Sequence, residues 1–287
     1  MKAFRSDNGF TEGHTLVLRG RIVELRRPLV MGIINLTPDS FYAGSRAPGA
    51  EDAARTAREM LEQGADIIDL GACSTRPGSQ PVSEEEEMKR LEAPLEAIRK
   101  ALPDAVLSVD TFRARVAEEC IRRWGVDVIN DVSGGDDEMY DVAAKSGAWY
   151  VLMHTRGTPA EMDGLCDYGD VVADVVSELA FKADKARARG VANLIVDPGF
   201  GFAKTAQQNF ELLRRLESLK ALECPILVGI SRKRMAREAG GSDATGALSA
   251  TIALNTAALL NGANIIRVHD VAEGVQTART VAKILQQ

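Results

Sequence analysis

The chain has 287 residues, with 41 acidic against 35 basic side chains, a formal net charge of −6 and 45% hydrophobic residues. That acidic balance argues against a nucleic-acid or membrane surface as the main partner. No run of about 18 apolar residues could cross a bilayer, "MKAFRSDNGF" carries no signal-peptide core, and Cys73, Cys120, Cys166 and Cys224 form no CxxC pair, so a reduced cytoplasm is expected.

The first patterned segment is "HTLVLRGRIVEL", read as two short strands around Gly20. From Leu29 onward, short apolar runs alternate with longer amphipathic stretches. The runs are "LVMGII", "DIIDL", "VLSVD", "VDVIN", "WYVLM", "NLIVD", "PILVGI" and "NIIRV". Between them, stretches such as "AEDAARTAREMLEQG" and "TFRARVAEECIRRWG" repeat apolar residues at spacings of three and four, the helical period. Regular strand–helix alternation implies parallel pairing with right-handed crossovers. Eight such units predict an α/β fold: an eight-stranded parallel (β/α) TIM barrel with a short N-terminal β-hairpin closing its floor. Residues 1–287 are read as a single domain, with 1–28 as the hairpin extension. A doubly wound open sheet is the rival, but the first strands lack the Gly-rich turn of a dinucleotide fold. In "SEEEE", Ser83 is expected to cap a helix and Glu86 to complete a capping box, rather than to hold a metal.

Barrel chemistry sits at the C-terminal ends of the strands. In chain order those ends read "NLTPDSF" from Asn35, "GACSTRPG" from Gly71, Asp110-Thr111, Asn130-Asp131, Met153-His154, "DPGFGF" from Asp197, "SRK" from Ser231 and "RVHD" from Arg267. Singly, each could cap a helix or shape a turn. Eight polar ends around one rim are harder to explain as caps. Loops after the seventh and eighth barrel strands often hold phosphate, and helix N-termini favour anions. The cations of "SRKR" and the Arg267-His269 pair therefore point to an anionic substrate.

In "NLTPDSF", "STRPG", "DPGFGF", "SRK" and "RVHD" together, the chain resembles the dihydropteroate synthase family from about Leu29 to its end. The resemblance implies a transferase of folate biosynthesis and a sulfonamide target. It implies condensation of 6-hydroxymethyl-7,8-dihydropterin pyrophosphate with p-aminobenzoate by an SN1-like path, with Mg2+, in a homodimer. It places Asp110, Asn130 and Asp197 at the pterin's polar edge, where a carboxylate can accept two adjacent N–H groups and an amide can give and take. The alternative for both aspartates is a helix cap. Met153, Phe202 and the Arg267 plane would cover the ring faces. For Met153, core packing is an equal reading. Gly199 and Gly201 would leave space near the backbone, or shape a turn.

The resemblance also implies that Gly229 lines the substrate site, that Lys233 bridges pterin and aminobenzoate, and that Ser231 meets the aminobenzoate carboxylate. Arg267 and His269 would contact the pyrophosphate, and Asn35 the metal. Asn35 is equally a turn residue by sequence alone. Asp39, Thr75 and Arg76, on loops rich in Gly, Ser and Pro, would order the aminobenzoate site. Arg232 and Arg234 alternate with Lys233 and are expected to point elsewhere, to surface carboxylates or the next helix.

The chain departs from the family pattern at Tyr42-Ala43-Gly44-Ser45 and at Ala72-Cys73, which leaves lid details open. A nucleophilic Cys73 is not needed by that chemistry. His154 and His269 stand on different strands with no Cys at metal spacing, so a zinc pair is not expected. A pterin-dependent methyltransferase domain and a non-catalytic pterin-binding paralogue are the competing readings.

Overall fold

The computed structural model describes residues 15–25, 27–36, 49–73, 82–240 and 247–285. Asp39, Thr75 and Arg76, with the whole of "TPDSF" and "STRPG", lie outside the described residues. Strands β1 (Thr15–Leu18) and β2 (Arg21–Glu24) pair antiparallel, with Leu18 opposite Arg21. Arg19 and Gly20 form the turn with φ of 53° and 70°. Two positive φ values match the twist that a two-residue hairpin needs.

Eight parallel strands follow: β3 (Leu29–Asn35), β4 (Ile67–Gly71), β5 (Leu107–Asp110), β6 (Val128–Asp131), β7 (Trp149–Met153), β8 (Leu194–Asp197), β9 (Leu227–Val228) and β10 (Ile265–Val268). Their order is β8-β7-β6-β5-β4-β3-β10-β9. A parallel bridge from Val196 to Ile226 joins the two ends, so the sheet closes. Helices α1 (Ala50–Gln63), α2 (Glu84–Ala101), α3 (Ala114–Trp124), α4 (Asp137–Ser146), α5 (Val171–Ala188), α6 (Ala206–Arg214), α7 (Arg234–Gly240), α8 (Leu248–Leu260) and α9 (Val271–Leu285) connect the strands, α7 and α8 both lying between β9 and β10.

Two local details differ from the sequence reading. The "PILVGI" run forms only a two-residue ladder. Pro225 has no N–H to give, and the Asn264 side-chain carbonyl accepts the Ile226 N–H at 2.9 Å in place of a neighbouring strand. At α2, Ser83 accepts the Glu86 N–H, but the Glu86 carboxylate bonds Arg90 at 2.9 Å, one helical turn on, so the box is half made.

Strand side chains alternate between faces. Outward residues such as Val30, Ile68, Leu107, Ile129, Leu152, Val196, Val228 and Ile266 join the helices in one large apolar core. Inward residues Met31, Ile67, Val128, Val151, Ile195, Leu227 and Ile265 form a second cluster with Leu16, Leu18 and Leu25 of the hairpin segment. The hairpin therefore plugs the barrel floor. Polar bonds pin it there: Trp149 Nε1 donates to the Val17 carbonyl at 3.2 Å, and Arg19 donates to the carbonyls of Gly125 and Pro103. Leu16 is fully buried, whereas Val17, next to it, is 57% exposed. Leu16→Ala is expected to cost about 2–5 kcal/mol in urea unfolding. Val17→Ala should stay within about 0.5 kcal/mol. Equal effects would show that the hairpin is not docked on the floor.

Candidate active site

The site is the upward continuation of that inward face. One strand period above the apolar floor, Ile67 gives way to Asp69, Val128 to Asn130, Val151 to Met153, Ile195 to Asp197, Leu227 to Gly229 and Ile265 to Arg267. On β5 the inward positions are Ser108 and Asp110, with Ser108 paired in register to Asp69. A slip of one residue would turn this whole polar set into the helix layer.

Arg267 organises the layer. Its Nε donates to Asp69 Oδ2 at 2.7 Å and its Nη2 to Asp110 Oδ2 at 2.8 Å. Asn130 Nδ2 donates to the same Asp69 oxygen at 3.2 Å. Asp69 is fully buried, and its Oδ1 has no partner among the described residues, as is true of the buried Ser108 hydroxyl. Burial pushes the Asp110 carboxyl up to about 7, with the Arg267 charge opposing. Burial also raises Asp197, against the Lys233 charge and a 2.7 Å bond from the Gly199 N–H. These directions mark carboxylates largely withdrawn from bulk water with incomplete protein compensation.

Lys233 reaches the same layer from the loop after β9. Its Nζ donates to the Phe200 carbonyl at 2.7 Å and lies 4.5 Å from the centre of the Phe202 ring. Burial pushes it down to about 8, with Asp197 opposing. The neighbouring arginines do point elsewhere. Arg234 pairs with Glu238 at 2.7 Å on the exposed side of α7. Arg232 does not reach a surface carboxylate. It forms a bidentate bond at 2.8 and 2.7 Å with Asp270, and both side chains are buried. That pair ties the loop after β9 to the end of β10.

Ser231 and His269 also meet: the Ser231 oxygen accepts the His269 N–H at 3.2 Å and sits 3.0 Å from Nδ1. Met153 is buried, in register with Asp197. Asn35 ends β3, paired with Gly71 on the rim. Gly199 shapes a turn: with φ of 70°, a Cβ there would stand 1.9 Å from the His154 carbonyl oxygen. His154 faces away from His269 and bonds Glu178 and Lys204, so the two histidines share no site.

Several members of the site were missed from sequence. Asp69 sits inside the apolar run "DIIDL", and its signal was parity: two residues after the inward Ile67. Glu87, from the acidic run, is fully buried and pairs with Arg113, which also bonds the Val82 carbonyl and lies 3.4 Å from Cys73 Sγ. Burial and the Glu87 charge push the Cys73 thiol up to about 12, the opposite of an activated nucleophile. Lys204 is buried behind the Asp197 loop.

Among the described residues, no group of three His, Cys, Asp or Glu could cage a metal. The amide oxygen of Asn35 at the rim suits a different arrangement. Mg2+ takes one or two protein oxygens and completes its shell with substrate phosphate and water.

Comparison with known proteins gives the family and the fold. A family model described as "Pterin binding enzyme" matches residues 31–269. The chain is 42% identical over 259 residues to a dihydropteroate synthase of Synechocystis sp., covering 88% of this chain and 89% of that one. It is 41% identical to a mitochondrial folate synthesis bifunctional protein of Arabidopsis thaliana, of which it spans 50%. Among solved structures, a Yersinia pestis dihydropteroate synthase with a sulfonamide drug complex superposes with a TM-score of 0.91 at 38% identity, covering 96% of this chain and 100% of that one. A Thermus thermophilus dihydropteroate synthase in complex with 4-aminobenzoate gives 0.83 at 40% identity, covering 95% and 99%.

The Asp110 shift gives a test that needs no ligand. A carboxyl raised from 3.8 to about 7 holds a proton in the folded state that the unfolded state has released. Its contribution to stability is complete below 3.8 and is lost as pH rises through about 7. Wild-type protein should therefore lose stability relative to Asp110→Asn across that window in urea titrations. Parallel stability curves would refute the burial of this carboxylate.

Proposed function

Because the chain belongs to the dihydropteroate synthase family, we propose that it condenses 6-hydroxymethyl-7,8-dihydropterin pyrophosphate with p-aminobenzoate, forming 7,8-dihydropteroate and releasing pyrophosphate. The observation that carries this reading is the single inward layer in which Asp69, Asp110, Asn130 and Asp197 surround Arg267 and Lys233. Asp110, Asn130 and Asp197 hold the polar edge of the pterin, and Met153 and Phe202 flank its ring, with Gly229 leaving room between Lys233 and Arg267. Arg267 uses Nε and Nη2 on carboxylates, and its Nη1 has no protein partner among the described residues, which suits a pyrophosphate oxygen. His269, oriented by Ser231, is placed for the same group. Ser231 would also serve the aminobenzoate carboxylate, with Asp39, Thr75 and Arg76 ordering that subsite.

Mg2+, held by Asn35 together with the pyrophosphate, would neutralise charge on the leaving group. In an SN1-like path the methylene C–O bond breaks first and its electron pair leaves with pyrophosphate. The pterin ring spreads the resulting cation, and the aniline nitrogen then bonds the methylene carbon and loses a proton to water. Lys233 crowns the ring and keeps the departing anion and the incoming aniline within one pocket. We read residues 1–287 as one barrel domain with 1–28 as its extension, working in the cytoplasm. No helix among the described residues is long and apolar enough to cross a membrane.

Purified protein mixed with both substrates and Mg2+ should release pyrophosphate and form dihydropteroate. Lys233→Ala should lower kcat/KM by at least about 100-fold. Asn35→Ala should raise the Mg2+ concentration needed for half-maximal rate. Pyrophosphate release in a single turnover without p-aminobenzoate would support the dissociative order, and none would count against it. Pterin binding with no pyrophosphate release would leave a non-catalytic paralogue.

For the homodimer that the resemblance implies, α8 is the candidate interface. Its thirteen residues carry no charge, and Leu248, Ser249, Ile252, Ala253 and Thr256 are only partly covered within the chain. Light scattering should give twice the chain mass, and Ile252→Glu should halve it. A wild-type monomer would rule the dimer out.

A further inference from the structure

The loop after β8 has left-handed backbone at Gly199, Gly201 and Ala203, with φ of 70°, 80° and 48°. For alanine that conformation is disfavoured, so the surroundings must impose it. Lys204 makes the most bonds to residues 199–203 from outside the barrel. Its Nζ donates to the carbonyls of Gly199 and Phe202, at 3.1 and 3.0 Å, and lies 3.0 Å from His154 Nδ1. Burial pulls Lys204 down to about 7, with the Asp197 charge opposing, and in its charged form the three N–H donors match these three acceptors.

Glu178, an ionised carboxylate held down to about 2, can only accept from His154 Nε2 at 3.0 Å, and burial keeps the imidazole neutral, which leaves Nδ1 as the acceptor facing Lys204. Glu178 in turn accepts Arg156 Nε at 3.0 Å. The chain of bonds thus runs from α5 through β7 to the loop. From the barrel interior, Lys233 holds the intervening Phe200 carbonyl and overlies the Phe202 ring. Two lysines therefore grip one turn from opposite sides. The Gly201 N–H donates to Asn209 at 2.8 Å, and the Tyr168 hydroxyl donates to the Ala203 carbonyl at 2.9 Å.

We propose that Lys204 is a positioning residue for the dihydropterin: by bracketing the turn at Gly199 and Phe202 it sets the Phe202 ring and the Asp197 carboxylate, without touching substrate. The role rests on the pterin reading of the pocket. The larger effect falls on the pterin, because the two carbonyls that Lys204 holds belong to the ring-facing turn, which meets the aminobenzoate side through Lys233 alone in this reading.

Steady-state kinetics of Lys204→Met, with folding checked by circular dichroism, test the selectivity. The KM for dihydropterin pyrophosphate should rise at least about tenfold, while kcat and the KM for p-aminobenzoate stay within about threefold. His154→Phe, which keeps a ring but removes the Nδ1 acceptor, should shift the same constant in the same direction by a smaller factor. An unchanged dihydropterin KM in folded Lys204→Met overturns the proposal, as do parallel losses in both KM values and kcat. Should Lys204→Met not fold, His154→Phe decides: a selective rise supports the role and an unchanged KM overturns it. Wild-type protein that forms no dihydropteroate overturns the functional reading and the Lys204 role together. Active wild type with insensitive variants overturns the Lys204 role alone.

Discussion

The alternation of side chains along a pleated strand is the constraint on which this molecule rests. It sends half of each barrel strand to the helices and half to the barrel axis. Along the axis the sequence changes character once, from Ile, Val and Leu below to Asp, Asn and Arg above. The hairpin seals the apolar end with Leu16 and Leu18. The polar end is left facing the loops, which is where a barrel can take a ligand. Register does both jobs, because the pairing that buries Ile67 also aims Asp69 inward.

The polar layer is held by charge that the interior tolerates poorly. Three inward carboxylates face two cations, and the shifts at Asp110, Asp197 and Lys233 all run toward the neutral form, driven first by burial. Arg267 keeps the arrangement together by bonding two of the carboxylates. Such a cluster is weak evidence for stability, since desolvation offsets much of the attraction. It is better understood as a site prepared for a partner with several polar atoms. The Asp69 and Ser108 oxygens that have no partner among the described residues fit that view.

Much of this was legible before any coordinates. The eight apolar runs became the eight barrel strands, and the described polar residues Asp110, Asn130, Asp197 and Arg267 at their ends face one layer, whereas "TPDSF" and "STRPG" lie outside the described residues. Lys233 was separable from Arg234 by alternation alone. What the sequence hid depends on distant pairing. Asp69 looked like an interruption of an apolar run until β4 was set beside β5 and Arg267 was brought to it from 198 residues away. Asp270 gave no hint that it would bury Arg232, 38 residues earlier. Glu87 went unremarked, because nothing in "SEEEE" distinguishes the residue that turns inward to Arg113. Lys204, two residues past "DPGFGF", was not singled out, and only the folded turn supplies its two carbonyls and His154.

The plugged floor has a further meaning for traffic. Below Asp69 and Asn130 the barrel axis is filled by Met31, Ile67, Val128 and their neighbours, with the hairpin leucines beneath them. Among the described residues these two polar groups therefore meet a solute from the loop side, across the layer that Arg267 and Asp110 occupy.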